Sequence, residues 1–305
     1  MPTEEPMTEL LADGTVVLDG GLSNALEDRG HDLSSDLWTA RLLRDEPGEI
    51  VAVHRAYFAA GARVATTASY QASVPGLTAA GASRSEAEAL IASSVRLARD
   101  ARDEVAAHTE APLYVAASIG PYGAALADGS EYTGRYGLTA AQLRDFHAPR
   151  LELLAGAGPD LLAVETIPDA DEAEVLVRLL DEIGMPAWFS YSVADGATRA
   201  GQPLASAYDV LKDSATIRAA GVNCSAPADV VTALEIAVAV TGVPGVAYPN
   251  RGEDWDNAAH TWLGPGAFEP REVHSWIDAG AQLVGGCCRV GESDIAAIAE
   301  VVAAF

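Results

Sequence analysis

Three cysteines, Cys224, Cys287 and Cys288, are the residues of this sequence whose type and position point most clearly to chemistry. An odd number of cysteines disfavours a disulfide framework and favours metal binding or catalysis. Cys224 ends one apolar run and the pair Cys287-Cys288 ends another, and both runs predict β-strands. Thiolate ligands are typical of zinc, which prefers four ligands in a tetrahedron. Three protein ligands leave the fourth position open, as in catalytic zinc sites. The cysteines therefore predict a catalytic zinc site, with a buried thiol pair as the alternative for Cys287 and Cys288.

The two adjacent cysteines set a condition on the backbone before them. Neighbouring residues of a strand point to opposite faces, so Cys287 and Cys288 can share one ion only where the chain leaves strand geometry. Gly285 and Gly286 directly precede them and are expected to give the backbone that freedom.

The thiolate ligands also favour one kind of reaction. Three thiolates bring the charge of a zinc centre to about −1, which makes the metal a weak Lewis acid toward water. A thiol bound at the open position would lose its proton and keep high electron density on sulfur. The ligand set therefore predicts alkylation of a small thiol rather than hydrolysis.

Eight apolar or β-branched runs recur along the chain and would position these cysteines. Most of them end in or near Gly, Asn, Ser, Thr or Cys, which is typical of strands that lead into loops. The runs cover residues 16–21, 63–70, 113–120, 160–167, 186–193, 216–224, 244–250 and 282–288.

Segments with helical spacing separate the runs. One is predicted to begin at Pro47, and Ser85 with Glu88 forms a capping-box pattern at the start of another. Strands that alternate with helices eight times predict an α/β fold, the TIM (β/α)8 barrel, with a doubly wound sheet as the alternative. No linker or charge block divides the chain, so residues 1–305 are expected to form one domain. The cysteines then lie on the catalytic face of the barrel.

The longest predicted insertion, residues 123–137, follows the third strand on that same face. Tyr132 and Tyr136 lie in it, and Tyr122 directly precedes it. We interpret this tyrosine-rich segment, residues 122–137, as a lid or a substrate wall, with an ordinary surface loop as the alternative.

Composition and charge limit the partners. A formal net charge of −25 would repel phosphate backbones and anionic membrane surfaces, which argues against nucleic-acid and membrane partners. The acidity is attributed to solubility rather than to attraction of a cationic substrate. The chain has no apolar run of membrane-spanning length and no pattern of a secretory signal at its start, so a cytoplasmic location is expected. These features leave the oligomeric state open.

Several motifs resemble those of the homocysteine S-methyltransferase family, and the resemblance covers nearly the whole chain. The most specific are the two motifs that contain the cysteines, Gly221-Val222-Asn223-Cys224 and Gly285-Gly286-Cys287-Cys288. Further similar segments are residues 18–21, 66–73, 118–123, 129–134, 165–168 and 248–250. The resemblance implies that the three cysteines bind zinc and that the sulfur of homocysteine is the fourth ligand.

The resemblance also implies contacts to the amino-acid end of homocysteine. Backbone N–H groups around Gly20 and Gly21 would bind the carboxylate. The Asp19 carbonyl and the Glu165 side chain would bind the ammonium group. A structural salt bridge is the alternative role for Glu165.

Family members without extra domains use S-methylmethionine or S-adenosylmethionine, so the resemblance implies a small sulfonium donor and methionine as the product. The chain departs from the family at Arg251, since a small residue usually follows the segment Tyr248-Pro249-Asn250. Two alternatives remain, namely methylation of selenocysteine or another small thiol by the same site, and a non-enzymatic zinc-binding or redox-sensing barrel.

The histidines fall in predicted loops or helices and none ends a strand, so no ligand role is assigned to them. They are His31, His54, His108, His147, His260 and His274.

Overall fold

Eight parallel strands form a barrel in the computed structural model, which describes residues 6–12, 14–31, 38–256 and 261–305. The strands are β1 Val16–Val17, β2 Val64–Thr66, β3 Tyr114–Ile119, β4 Leu161–Ile167, β5 Ala187–Tyr191, β6 Ile217–Asn223, β7 Gly245–Tyr248 and β8 Ala281–Val284. Their order in the sheet is β1-β8-β7-β6-β5-β4-β3-β2, and a parallel bridge between Leu18 and Val64 joins its two ends. The TIM barrel predicted from the sequence is confirmed.

Helices follow each strand and surround the barrel. Those in the described ranges are α1 Pro6–Ala12, α2 Leu22–Asp28, α3 Trp38–Asp45, α4 Pro47–Ala59, α5 Val74–Ala79, α6 Arg84–Ala106, α7 Tyr122–Leu126, α8 Ala140–Gly156, α9 Ala170–Ile183, α10 Leu204–Asp209, α11 Val230–Thr241, α12 Val273–Asp278 and α13 Glu292–Ala304. Two short hairpins extend the loops after β5 and β7, pairing Val193–Ala194 with Ala197–Thr198 and Asp254–Asp256 with Thr261–Leu263.

Alternate strand residues divide the core into two parts. Leu161 and Ala163 of β4 lie in the cluster inside the barrel, whereas Leu162 and Val164 lie in the larger cluster between strands and helices. Because parallel strands are buried on both faces, they read in the sequence as continuous apolar runs. This double burial is why all eight strands can be recognised from the sequence.

Side chains fill the barrel interior at the end where the strands begin. Met7 and Leu10 of α1 are fully buried in the same cluster as Val16 and Leu161, which begin β1 and β4. Helix α1 therefore covers this end, and the opposite end carries the cysteines.

The helix predicted to begin at Pro47 is confirmed, but the capping box predicted at Ser85 and Glu88 is wrong. Ser83 Oγ accepts the N–H of Glu86 at 3.2 Å, and Glu86 Oε2 accepts the N–H of Ser83 at 2.8 Å. The stretch from 83 to 88 offers the Ser-x-x-Glu pattern twice. The earlier register lets the helix begin two residues sooner, and Arg84 then pairs with Glu88 one turn further on.

Within the described part of the chain, no helix is both long enough and apolar enough to cross a membrane.

Candidate metal centre and substrate cavity

The three cysteines meet at the end of the barrel where the strands finish. Their Sγ atoms all lie within 4.8 Å of one another, and Cys224 Sγ is 3.8 Å from Cys288 Sγ. Cys224 is buried, Cys287 and Cys288 are half-buried, and all three are free thiols. Three sulfur atoms at these separations can converge on one metal ion.

Cys224 points toward this cluster because of an unusual backbone conformation. It follows the last residue of β6 and has a φ of 48°, in the left-handed region that non-glycine residues rarely adopt. Its N–H donates to the Tyr248 carbonyl at 3.3 Å, and its own carbonyl accepts a hydrogen bond from Ser192 Oγ at 3.3 Å. Since Asn223 already faces the barrel interior, the left-handed turn brings two successive residues to the same side.

Cys287 and Cys288 lie in the turn that follows β8. The Cys287 N–H donates to the Pro249 carbonyl at 2.8 Å, and the Cys288 N–H donates to Asn250 Oδ1 at 3.2 Å. Residues just after β7 therefore fix both cysteines through their backbone groups.

Gly285 and Gly286 are needed because a side chain would not fit there; neither residue has a positive φ. A Cβ atom at Gly285 would lie 2.7 Å from Leu18 Cβ, and one at Gly286 would overlap the Val290 side chain. The positive φ of this turn, 69°, belongs instead to Arg289. The glycines thus let the turn pack closely against β1, and the chain changes direction after the cysteines.

The Cys224 thiol has a lowered pKa. Hydrogen bonds from Cys287 and Cys288 are the main cause, and the Tyr132 hydroxyl, 3.3 Å from Cys224 Sγ, adds to them. A thiol stabilised in this way is available as a thiolate, which is the form that binds metal.

A cavity of about 120 Å³ opens beside the cysteines and brings all the predicted site residues together. It is lined by Asp19, Gly20, Gly21, Leu22, Ser23, Asn24, Thr66, Thr67, Ala68, Tyr70, Tyr132, Glu165, Thr166, Cys224, Tyr248, Gly286, Cys287 and Cys288.

Glu165 presents a buried carboxyl group to this cavity. The Ser118 and Tyr248 hydroxyls hydrogen-bond to it, and burial raises its pKa to about 7. None of the ion pairs in the described ranges includes Glu165, and a cation bound beside its carboxyl group would favour the charged form.

The turn from Asp19 to Gly21 lines the same cavity as Glu165, but some of its backbone groups already form hydrogen bonds within the barrel. The Asp19 carbonyl accepts the N–H of Gly286 at 3.2 Å, and Gly21 donates its N–H to the Val290 carbonyl at 2.9 Å. The Asp19 carboxyl group accepts hydrogen bonds from the N–H and hydroxyl of Thr66 at 2.6 and 2.8 Å, and burial raises its pKa to about 7. The Asp19 carbonyl and the Gly21 N–H were both expected to contact substrate. In the structure they bind residues on either side of Cys287 and Cys288, and so connect the end of β1 to the turn after β8.

The tyrosine-rich segment forms a wall of the cavity. Tyr132 lines it, and the segment is fastened at both ends to α9 and the residue before it. The Tyr122 N–H donates to Glu172 Oε1 at 2.6 Å, and the Arg135 N–H donates to Asp169 Oδ2 at 3.0 Å. These contacts favour the substrate-wall interpretation over that of a surface loop.

Arg251, where the chain departs from the family, points away from the cavity. Its Nη1 lies 3.2 Å from Asp294 Oδ2, and the side chain is exposed. Its backbone remains part of the site, because its N–H donates to the Cys288 carbonyl at 2.9 Å.

The described histidines lie apart from the cysteine cluster. His54 and His147 are buried in α4 and α8, His274 is in α12, and His31 and His108 follow helices. His260 lies outside the described residues.

Several residues that position the side chains of the site have no role predicted from the sequence. Asn223 and Thr166 hydrogen-bond to each other, and Ser118 and Tyr248 bind Glu165. All four belong to motifs that resemble the family's, but their partners lie on other strands and cannot be read from local sequence.

Comparison with known proteins gives consistent matches over nearly the whole chain. The family model for homocysteine S-methyltransferase matches residues 16–302. Homocysteine S-methyltransferase 1 of Zea mays is 42% identical over 95% of each chain, and homocysteine S-methyltransferase YbgG of Bacillus subtilis is 43% identical over 93% of each.

A solved structure gives the same result. The crystal structure of the homocysteine methyltransferase MmuM from Escherichia coli, in its metallated form, matches with a TM-score of 0.88 and 40% sequence identity. The match covers 98% of this chain and 100% of that one.

Proposed function

This chain belongs to the homocysteine S-methyltransferase family and is an enzyme, and we propose that it transfers a methyl group from a sulfonium donor to L-homocysteine, giving methionine. One observation carries the proposal. Three cysteine Sγ atoms within 4.8 Å of one another share a cavity with the buried carboxyl group of Glu165. A thiol and an ammonium group of one small molecule can bind to these two features together.

We propose that the cysteine cluster holds zinc. The three cysteines supply the thiolate ligands that zinc prefers, and the lowered pKa of Cys224 favours its ionised form. Bound zinc would keep the acceptor sulfur deprotonated near neutral pH, and the thiol proton would be released to water when the sulfur binds. The metallated form of the Escherichia coli relative supports a metal in this family.

Glu165 is proposed to bind the ammonium group of homocysteine. Its carboxyl group is held by two hydroxyls and buried, so an ionic contact there is poorly screened by water. The Asp19 carbonyl is proposed to bind the same ammonium group, and backbone N–H groups around Gly20 and Gly21 are proposed to bind the carboxylate. The Gly21 N–H is already used by the Val290 carbonyl, so the carboxylate contact is assigned to the other N–H groups of this turn, whereas the Asp19 carbonyl keeps a second lone pair beside its bond from Gly286.

Methyl transfer then needs no acid or base from the protein. The acceptor sulfur attacks the methyl carbon of the donor, a new S–C bond forms, and the bond from that carbon to the donor sulfur breaks. Its electron pair stays on the leaving sulfur, which becomes a neutral thioether. Opposite charges are neutralised, so walls such as Tyr70 and Tyr132 that exclude water lower the barrier.

We propose S-methylmethionine or S-adenosylmethionine as the donor, small molecules as the substrates, and residues 1–305 as one catalytic domain. The test measures zinc content and methionine formation on the same purified protein, with homocysteine and each donor in turn. Zinc near one per chain with methionine formed is the expected result. Zinc without methionine would make selenocysteine or another small thiol the acceptor in place of homocysteine, and the same assay with those thiols would identify it. Absence of both zinc and transfer would refute the proposal.

A further inference from the structure

Two residues that face the barrel interior, Asn223 and Thr166, bind each other beside the cavity, which Thr166 lines. Thr166 directly follows Glu165 on β4, and Asn223 directly precedes Cys224 on β6. We propose that this pair is a clamp that fixes the separation between Glu165 and the cysteine cluster, and so selects acceptors by the length of their side chain. The proposal rests on the proposed function, in which these two points bind the ends of the acceptor.

The clamp consists of two reciprocal hydrogen bonds. The Thr166 N–H donates to Asn223 Oδ1 at 2.6 Å, and Asn223 Nδ2 donates to Thr166 Oγ1 at 2.8 Å. The backbone N–H can only donate, which fixes the orientation of the amide group. Asn223 is 0% exposed and Thr166 is 1% exposed, so water does not compete for these bonds.

A bulge in β4 places Thr166 where it can bind Asn223. Between the pairs Val164 with Phe189 and Ile167 with Tyr191, β4 has one residue more than β5. Thr166 has a φ of 61°, a strained conformation for a β-branched residue. As a result Glu165 and Thr166 both line the cavity, although neighbouring strand residues normally alternate.

The same arrangement occurs on β6. Asn223 faces inward by strand alternation, and the left-handed φ of 48° at Cys224 turns the next residue inward as well. Strained residues persist where surrounding contacts determine them. Here Thr166 and the residue before Cys224 are joined directly, since Thr166 and Asn223 bind each other from the two strands that flank β5.

The clamp therefore links the backbone at Glu165 to the backbone at Cys224. An acceptor that uses both points must span the distance between them. Homocysteine and cysteine differ by one methylene between the thiol and the amino-acid group, and such a difference changes kcat/KM by roughly 10 to 200-fold in a rigid site. A loosened clamp should reduce that discrimination.

The test compares homocysteine with cysteine as acceptors for the zinc-loaded wild type and the variants Asn223→Ala and Thr166→Ala. Thr166→Ser is the matched variant that keeps the hydroxyl. Ser94→Ala, which removes a buried hydroxyl bonded within α6, controls for general destabilisation. Binding of each thiol by calorimetry and zinc affinity by chelator competition are measured alongside kcat and KM.

We expect the homocysteine-to-cysteine ratio of kcat/KM to fall about tenfold in Asn223→Ala and Thr166→Ala, with the same trend in binding. Thr166→Ser and Ser94→Ala should keep the wild-type ratio, and zinc affinity should stay within about threefold. An unchanged ratio in the alanine variants, or a loss of zinc that accounts for the loss of activity, would overturn the clamp. A wild type that transfers no methyl group to homocysteine would instead contradict the proposed function.

Discussion

At the scale of single residues, the ionisable side chains of the site are oriented by hydrogen bonds from residues that are distant in the sequence. Glu165 on β4 is bound by Ser118 on β3 and Tyr248 on β7. Cys224 after β6 is bound by Tyr132 from the tyrosine-rich segment. Each group is therefore oriented before a substrate enters, which reduces the cost of ordering it during the reaction.

Replacing Glu165 with glutamine should weaken homocysteine binding specifically. The variant keeps the shape of the side chain but loses the charge that pairs with the ammonium group. A charged hydrogen bond contributes about 1.5–3 kcal/mol, so KM for homocysteine should rise about 10 to 100-fold with a smaller change in kcat. Steady-state kinetics with homocysteine varied would measure this, with the exposed Glu174→Gln on α9 as the control. A homocysteine KM equal to that of the wild type would remove Glu165 from the acceptor site.

At the scale of elements, close contacts between strand ends hold the cysteines in register. Gly221 of β6 lies directly against the backbone of β7, where a Cβ atom would overlap the Val246 carbonyl and lie 2.9 Å from Val246 N. The residues after β7 bind Cys287 and Cys288, and Cys224 follows β6. The spacing of these two strands thus sets the spacing of the sulfur atoms.

Gly221→Ala should therefore destabilise the fold and the metal centre together. The new methyl group can be accommodated only by moving β6 away from β7, at a cost of about 3 kcal/mol. Denaturant unfolding should show this loss, and zinc affinity should fall because Cys224 moves with β6. Gly156→Ala at the end of α8, whose Cβ would meet nothing within 4 Å, should lower neither property. Wild-type zinc affinity in Gly221→Ala would show that strand spacing does not control the cluster.

The strands could be predicted from the sequence, whereas the irregular positions at their ends could not. The eight strands and the positions of the cysteines after them follow from double burial and periodicity, which are local properties of the chain. The left-handed Cys224 and the bulge at Thr166 do not, because each is stabilised by partners on other strands; Asn223 and Thr166 are 57 positions apart. Local sequence also could not show that the barrel itself uses the Gly21 N–H and the Asp19 carbonyl.

At the scale of the whole molecule, the barrel buries groups that serve the site and groups that do not. His54 of α4 is completely buried, and neither ring nitrogen has a hydrogen-bond partner in the described part of the chain. Burial lowers its pKa from 6.5 to about 4. Asp19, Glu131 and Glu165 have pKa values raised by burial to about 7. These two sets of groups make stability depend on pH in opposite directions.

His54 should make the wild type lose stability in acid relative to His54→Leu. Below pH 6.5 the unfolded histidine takes up a proton that the folded one does not bind until about pH 4, so stability present above pH 6.5 is lost as the pH falls toward 4. At pH 5 this amounts to about 2 kcal/mol. The free energy of unfolding of both proteins at pH 7 and pH 5 isolates the contribution of His54, because both proteins contain the same buried acids. The variant His108→Gln, at an exposed histidine, is the control. Parallel pH profiles for wild type and His54→Leu would contradict it.

X-ray absorption at the zinc edge can test whether the three cysteines hold a zinc ion that binds the acceptor sulfur, because it counts the sulfur neighbours of the metal. We expect about three sulfur neighbours near 2.3 Å in the zinc-loaded protein, and about four once homocysteine is added. Cys224→Ala should fail to retain the zinc. A sulfur count that does not change on addition of homocysteine, or zinc bound equally well by Cys224→Ala, would show that the cysteine cluster does not present zinc to the acceptor sulfur.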